Sequence, residues 1–175
     1  DQEIRDIYYS KLKDGNWSKP KPVYQDNWKI NGCPVNGPKV AVNGGSVAVA
    51  WFTAAENIPK VKLAFSKDGG AQFLDPIEMN LEKVIGRVDL LMVDDQTALV
   101  SWMESSKEMA QLKLAKVGIG GNIEKIISIH EISADRSTGF PQLEMVDDQI
   151  YMAWNEMKDD KPMVKMVRLS FDVLN

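Results

Sequence analysis

The chain is poor in the residue types on which redox and metal chemistry usually depend. It has 175 residues but only one cysteine and one histidine. A single cysteine cannot form an internal disulfide, and these counts do not suit a multi-cysteine or histidine-rich zinc site. We therefore expect no metal site and no other cofactor. We expect Cys33 to be a small buried apolar side chain rather than a nucleophile, because no histidine neighbours it in the sequence.

The chain also lacks a basic run and a long apolar run. It carries 21 Lys and Arg against 25 Asp and Glu, a net charge of −4, so nucleic acid is not an expected partner. No apolar stretch approaches the roughly 20 residues of a membrane-spanning helix, and residues 1–20 do not resemble a signal peptide. With 44% apolar residues, the chain can nevertheless bury a substantial core.

The sequence does contain a pattern that occurs three times. Three segments of alternating residues each end in a tryptophan, and these tryptophans are 51 and 52 residues apart. Eleven residues after each tryptophan, a lysine lies inside a second apolar segment. Short strands repeating at about this period are typical of β-propeller blades. The tryptophans are Trp51, Trp102 and Trp154, and the lysines are Lys62, Lys113 and Lys165.

Turn residues between the apolar segments divide each repeat into four antiparallel strands. The sequence therefore predicts an all-β fold, one partial propeller domain over residues 1–175 with about three and a half blades. In the first, incomplete blade, residues 4–10 and 17–23 supply the third and fourth strands. The predicted divisions are 1–30, the end of a blade; 36–80 and 86–130, two complete blades; and 139–175, a blade without its outer strand.

So few blades do not close a propeller, which takes roughly four to eight. Two interpretations remain open. The chain is the C-terminal half of a longer protein, or two copies complete one ring. We favour the first interpretation, in which the missing half of the propeller is the main protein partner.

One turn carries a distinct motif. The segment Ser66–Phe73 has the pattern Ser-x-Asp-x-Gly-x-x-aromatic, known as an Asp box. Asp68 is expected to accept hydrogen bonds from backbone N–H groups of the turn. Gly69 and Gly70 can adopt positive φ, and Phe73 is expected to pack the hairpin onto its blade.

This motif, the preceding segment Cys33-Pro34-Val35-Asn36-Gly37-Pro38 and the repeated Trp strands resemble the sialidase-like propellers with BNR repeats, especially those of gut and soil bacteria. The resemblance covers nearly the whole chain. It implies a six-bladed ring, a carbohydrate ligand, exo-glycosidase activity on an acidic sugar, and an extracellular or periplasmic location. The alternative is a non-catalytic propeller that binds a glycan or a protein. A third option, a pure scaffold, predicts no concave polar pocket.

The ligand site of a propeller usually lies on the axis, at the start of the innermost strands and beside the loops between second and third strands. Converging arginines would form a fork for a carboxylate. The resemblance implies that Arg87 and Arg136 belong to an arginine clamp and that Glu104 is a supporting carboxylate. Alternatively, the arginines cap loops or form surface ion pairs. The candidate catalytic residue is Glu104, and the candidate substrate-binding residues are Asn36, Arg87, Asp89, Arg136 and Glu156.

Sialidases use a tyrosine as nucleophile, and the chain offers two tyrosines near its repeated strands. Tyr151 lies inside a predicted Trp strand, and Tyr24 follows the fourth strand of the first blade. Neither is well placed to attack a sugar on the axis.

Overall fold

The structure is a computed structural model that describes residues 3–32, 34–106 and 109–175. The prediction for Cys33 falls outside these residues. In the described residues the regular structure comprises fifteen β-strands and two short 3₁₀ segments, Ala55–Asn57 and Phe171–Leu174. None of the described helical segments has the length and hydropathy needed to cross a bilayer.

The first 30 residues form two short antiparallel ladders. Strand β1 (Tyr8–Tyr9) pairs with β4 (Lys21–Pro22), while β2 (Leu12–Lys13) and β3 (Asn16–Trp17) form a hairpin between them. These ladders are shorter than the strands predicted over residues 4–10 and 17–23. Prolines at positions 20 and 22 lack the N–H groups that would extend the pairing.

The remaining strands form three antiparallel meanders, in which each strand pairs with its neighbour in the chain. The first two meanders, which are the second and third blades, have four strands each, and the last has three, which confirms the predicted propeller blades. The strands are β5 (Lys39–Asn43), β6 (Ser46–Thr53), β7 (Lys60–Ser66) and β8 (Ile77–Glu78); β9 (Val84–Met92), β10 (Thr97–Ser106), β11 (Met109–Gly118) and β12 (Ile123–Ser133); and β13 (Gly139–Val146), β14 (Gln149–Lys158) and β15 (Lys161–Ser170).

The sheets pack face to face, and the repeated tryptophans lie in the interfaces. Trp51 packs with Val23 of the first blade, Trp102 packs in a core with residues of the second blade, and Trp154 packs in a core with residues of the third. All three tryptophans are at most 5% exposed. Each blade therefore turns its tryptophan towards the preceding blade, and the prediction that they are core residues is confirmed.

The turn after β7 has the geometry expected from its motif. The Asp68 carboxylate accepts hydrogen bonds from the backbone N–H groups of Ala71 and Gln72, at 2.8 and 3.0 Å. Gly69 and Gly70 have φ values of 65° and 78°. The Phe73 ring meets the Tyr9 ring edge-on, with 5.1 Å between centroids. The turn thereby joins the second blade to the first.

The innermost strands of three successive blades meet through one carboxylate. Asp89 on β9 accepts a 2.6 Å hydrogen bond from the backbone N–H of Leu143 on β13. Its other oxygen lies 3.0 Å from the ammonium group of Lys39 on β5. β5, β9 and β13 therefore face a common hub, and the residues that begin these strands lie together.

Candidate functional site

A cavity of about 220 Å³ opens at this hub, where the three innermost strands begin. We call it the axial pocket. Its walls come from residues 35–39 ahead of and in β5, from Arg87 and Val88 on β9, and from Phe140, Pro141 and Gln142 on β13. The position is the one at which the sequence predicts a ligand site.

A β-bulge at the start of β9 aims Arg87 at the next blade. The pairing of β9 with β10 shifts register here, and Gly86 and Arg87 have φ values of 92° and 55°. The Asn36 side chain holds the bulge, because its oxygen accepts from Arg87 N at 2.7 Å and its amide donates to Ile85 O at 3.0 Å. A β-carbon on Gly86 would lie 2.8 Å from both Asn36 Cγ and Phe52 Cδ2, so only glycine fits.

The guanidinium of Arg87 is occupied by the backbone of the fourth blade. It donates to the carbonyl oxygens of Asp135, at 2.8 Å, and of Thr138, and it lies 4.9 Å from the Phe140 ring centroid. Arg87 is only 8% exposed, and this burial lowers its pKa. An arginine remains charged nonetheless, because the guanidinium is the most basic of the side-chain groups. Arg87 therefore caps the loop ahead of β13, and a ligand contact stays a prediction.

Arg136 lies in that same loop and is exposed to solvent. Burial has the largest effect and lowers the pKa of Arg87, the Asp135 carboxylate raises it, and the charge of Arg136 lowers it further. Arg136 is not one of the described residues that line the axial pocket. The two guanidinium groups thus differ in exposure and partners and do not form a symmetrical fork.

Asp89 lies behind the pocket wall and orients a cation that sequence reasoning missed. Besides pairing with Asp89, the Lys39 ammonium lies 3.3 Å from the side-chain oxygen of Gln142. The Lys39 side chain is 37% exposed and lines the pocket. The available signal was a lysine as the first residue of a predicted innermost strand.

Glu104 is not in the axial pocket. It is 4% exposed, and one oxygen accepts from the indole N–H of Trp102, at 3.0 Å, and from the backbone N–H of Leu81, at 3.1 Å. The other oxygen is 3.8 Å from the ammonium of Lys113. Glu104 therefore joins the repeated tryptophan and the repeated lysine of its blade.

The second blade has the same cluster with a carboxylate from elsewhere in the chain. Asp26 accepts from the indole N–H of Trp51 at 2.7 Å and from the Lys62 ammonium at 2.5 Å. Asp26 follows the last strand of the first blade, so the cluster links two blades. Sequence reasoning missed this role, although the constant tryptophan–lysine spacing was its visible sign.

Glu156 is the corresponding carboxylate of the fourth blade. It pairs with Lys165, and it lies 2.8 Å from the imidazole of His130 on β12. Burial by itself raises the pKa of Glu156, but the hydrogen bonds from Lys165 and His130 outweigh burial and leave the pKa below its ordinary value. The indole N–H of Trp154 has no hydrogen-bond partner in the described part of the chain. Glu156, like Glu104, lies away from the axial pocket.

Among the described residues, no group of three or more His, Cys, Asp or Glu side chains is arranged to hold a metal ion.

Comparison with known proteins gives a fold. No family model matches the sequence, and a search of curated proteins finds no match. Among solved structures the chain is similar to a Hadza microbial sialidase, with 17% identity, a TM-score of 0.59, and coverage of 95% of this chain and 39% of that one. It is also similar to a thermostable family-43 glycoside hydrolase, with 13% identity, a TM-score of 0.59, and coverage of 95% and 62%. The chain thus has the propeller fold and spans less than two thirds of either neighbour.

Proposed function

We propose that the chain is part of a glycan-active propeller that binds an acidic sugar in the axial pocket. One observation carries the proposal: among the described lining residues, the charged side chains are Lys39 and Arg87, and both are cations. Lys39 is paired with Asp89 behind the wall, whereas Arg87 binds neutral backbone carbonyls, so the pocket keeps a positive charge that favours a carboxylate-bearing ligand. The likeness to a sialidase and to a family-43 glycoside hydrolase supports a carbohydrate as that ligand.

The two cations have different roles in this proposal. Lys39 is partly exposed and held by Asp89, so its ammonium contacts the sugar carboxylate directly. Arg87 is buried and capped onto the loop before β13, so it adds positive charge and fixes the pocket wall. The ring of Phe140 offers an apolar surface for the C–H groups of a sugar ring. A concave pocket lined by two cations argues against a pure scaffold.

The hydrogen bonds and the ion pair of Glu104 favour the second candidate function, a non-catalytic glycan-binding propeller. A general acid must reach the bond that it protonates. Both carboxylate oxygens of Glu104 instead face groups of its own blade and of the residues just before that blade. If the whole protein is an exo-glycosidase, we propose that its acid/base group comes from outside these blades.

We further propose that another blade covers the outer face of the last sheet. Residues equivalent to Val164 and Met166 are 0% exposed in the second and third blades, where the next blade packs on them, whereas Val164 is 71% and Met166 64% exposed. The repeat thus presents an interblade surface without its blade. We favour a longer form of the same protein as its source, with a sialidase-like ring located outside the cytoplasm. The buried residues equivalent to Val164 and Met166 are Val61 and Leu63 in the second blade, and Leu112 and Leu114 in the third.

The sugar proposal is tested by isothermal titration calorimetry on the 175-residue chain with two matched pairs of ligands. These are glucuronic acid with glucose, and N-acetylneuraminic acid with its methyl ester. We expect the acid of at least one pair to bind about ten-fold more tightly than its neutral partner, which corresponds to about 1.4 kcal/mol. Lys39→Gln should remove this preference, whereas Lys67→Gln, at the exposed turn after β7, should keep it. Equal binding within both pairs, or no binding, would overturn the proposal.

A further inference from the structure

We infer that a second pocket at the same end of the sheets binds a neutral, hydroxyl-rich sugar. This rim pocket has a volume of about 370 Å³ and lies between the segment after β4 and the loop joining β6 to β7. It shares no lining residue with the axial pocket. Its main polar and aromatic lining residues are Tyr24, Asp26, Asn27, Glu56, Lys60 and Lys62.

The floor of the rim pocket is fixed by a buried ion pair. The Asp26 side chain is 2% exposed and binds both the Lys62 ammonium and the Trp51 indole. The same ammonium lies 4.6 Å from the centroid of the Tyr24 ring. The pocket wall is therefore tied to the interblade core rather than formed by a loose loop. Tyr24 is 38% exposed, so part of its ring stays available to a ligand.

Left-handed backbone conformations border the pocket on both sides. Asn27 has a φ of 55°, Glu56 of 56° and Asn57 of 60°. Such conformations are costly for residues other than glycine, and they cluster at binding sites. Here they bring two separate segments to one cavity.

The charges of the rim pocket decide which class of sugar it suits. Lys60 is 2.6 Å from Glu78, and Lys62 is 2.5 Å from Asp26, so each lining cation is matched by a lining carboxylate. Glu56 then leaves a net charge of −1 on the five charged lining side chains. This charge disfavours an acidic ligand. Paired charged groups and amides beside an exposed aromatic ring suit the hydroxyl groups and C–H faces of a neutral sugar.

The rim pocket lies outside the site of the proposed function and takes a different class of sugar. The axial pocket is cationic and the rim pocket is slightly anionic, and both lie at the end of the sheets where the innermost strands begin. The rim pocket's preference for a neutral sugar is independent of the axial pocket and can be tested separately.

The test follows backbone amide signals by NMR during separate titrations of the 175-residue chain with lactose and with glucuronic acid. We expect lactose to shift signals of residues 24–27 and 53–60, and glucuronic acid to leave them unchanged. Tyr24→Ala should weaken lactose binding about five- to ten-fold, the loss expected when a ring contact is removed. Tyr8→Ala, an exposed tyrosine outside this pocket, is the matched control and should bind lactose normally.

A second variant protects the test against a folding defect in Tyr24→Ala. Glu56→Gln removes the excess negative charge from an exposed position and should reduce the discrimination against glucuronic acid. The inference is overturned if lactose shifts no rim signals up to its solubility limit, or if both Tyr24→Ala and Glu56→Gln leave ligand binding unchanged. If lactose binds as expected but no acidic sugar binds anywhere, the rim pocket stands and the axial proposal fails.

Discussion

Single carboxylates fix the large aromatic side chains between the blades. A buried indole N–H needs an acceptor, and Asp26 and Glu104 each provide one while also binding the repeated lysine. The acceptors come from different places in the chain, although Trp51 and Trp102 occupy the same position in their blades. Local geometry is therefore kept while the source of the carboxylate changes.

Substitutions of Glu104 test its structural role through the stability of the chain. Glu104→Ala leaves the buried indole N–H of Trp102 without an acceptor, so we expect a loss of stability of about 1–3 kcal/mol. Glu104→Gln keeps an acceptor oxygen and should cost less. Chemical denaturation provides the measurement, with Glu131→Ala at an exposed position as the control. Unchanged stability in Glu104→Ala would contradict the structural role.

The turn after β7 makes stability depend on pH in a defined direction. Hydrogen bonds from the Gln72 backbone, then the Ser66 hydroxyl and the Ala71 backbone, lower the pKa of Asp68. Asp68 therefore stabilises the fold above the ordinary aspartate pKa of about 3.9, and this contribution is lost as the pH falls through its lower folded-state value.

We expect the melting temperature of the wild-type chain to exceed that of Asp68→Asn at pH 7, and this difference to shrink below about pH 4. Ser66→Ala, which removes one hydrogen bond to the carboxylate, should reduce the difference. Melting curves recorded from pH 3 to 7 provide the measurement. A difference that stays constant over this range would show that the charge of Asp68 has no such role.

Sequence reasoning was most reliable for residues whose environment is set locally or by periodicity. The tryptophans and the Asp68 turn belong to this class. The partners of Arg87 and Glu104 do not, because Arg87 binds a carbonyl 51 residues away and Leu81 reaches Glu104 from 23 residues away. Which backbone group lies opposite a charged side chain is decided by how the blades assemble, and no local pattern encodes it.

At the scale of strands and loops, the repeated blades follow from the alternation of apolar and polar residues and from the turn residues between strands. The start of the innermost strand β9 depends instead on an irregular backbone conformation. The four-stranded meanders were predictable because apolar alternation marks strands and turn formers separate them. The bulge at Gly86 and Arg87 was not, since it depends on Asn36, which lies 51 residues before Arg87. This irregularity shapes the axial pocket.

Substitution of Gly139, the first residue of β13, tests how tightly the start of this strand packs against Met103 and Arg87. Its φ is 82°, and an added β-carbon would collide with the sulfur of Met103 and approach the Arg87 guanidinium to 3.3 Å. Gly15 has a similar φ of 78° but open space around it. Gly15→Ala should therefore cost only the left-handed strain of about 1–2 kcal/mol.

Gly139→Ala should cost about 1–3 kcal/mol more than Gly15→Ala, because overpacking is added to strain. Urea denaturation of both variants gives the comparison. Equal losses would mean that the loop moves freely and that Arg87 does not fix the pocket wall.

At the scale of the whole molecule, the repeat predicts a surface that the described chain does not cover. Val164 and Met166 are exposed at positions that are fully buried in the two preceding blades. This equivalence could be recognised only after the coordinates showed which residues of β7 and β11 pack against the next sheet. The sequence alone predicted too few blades for a closed ring but not the face involved.

We expect the isolated 175-residue chain to self-associate through this face and to bind an apolar dye. The double variant V164K/M166K should reduce both effects, whereas the control variant E124K/E131K, at exposed positions of β12, should not. Analytical ultracentrifugation and dye fluorescence measure the two properties. A wild-type chain that stays monomeric at high concentration and binds no dye would contradict an uncovered interblade surface.

The most direct test of the central claim, that the hub of the blades is an acidic-sugar site, is an NMR titration with N-acetylneuraminic acid and, in parallel, with its methyl ester. The acid should shift the amide signals at the starts of β5, β9 and β13 together, with one common dissociation constant. The ester should shift them much less. Shifts confined to one blade, or identical responses to acid and ester, would contradict the claim.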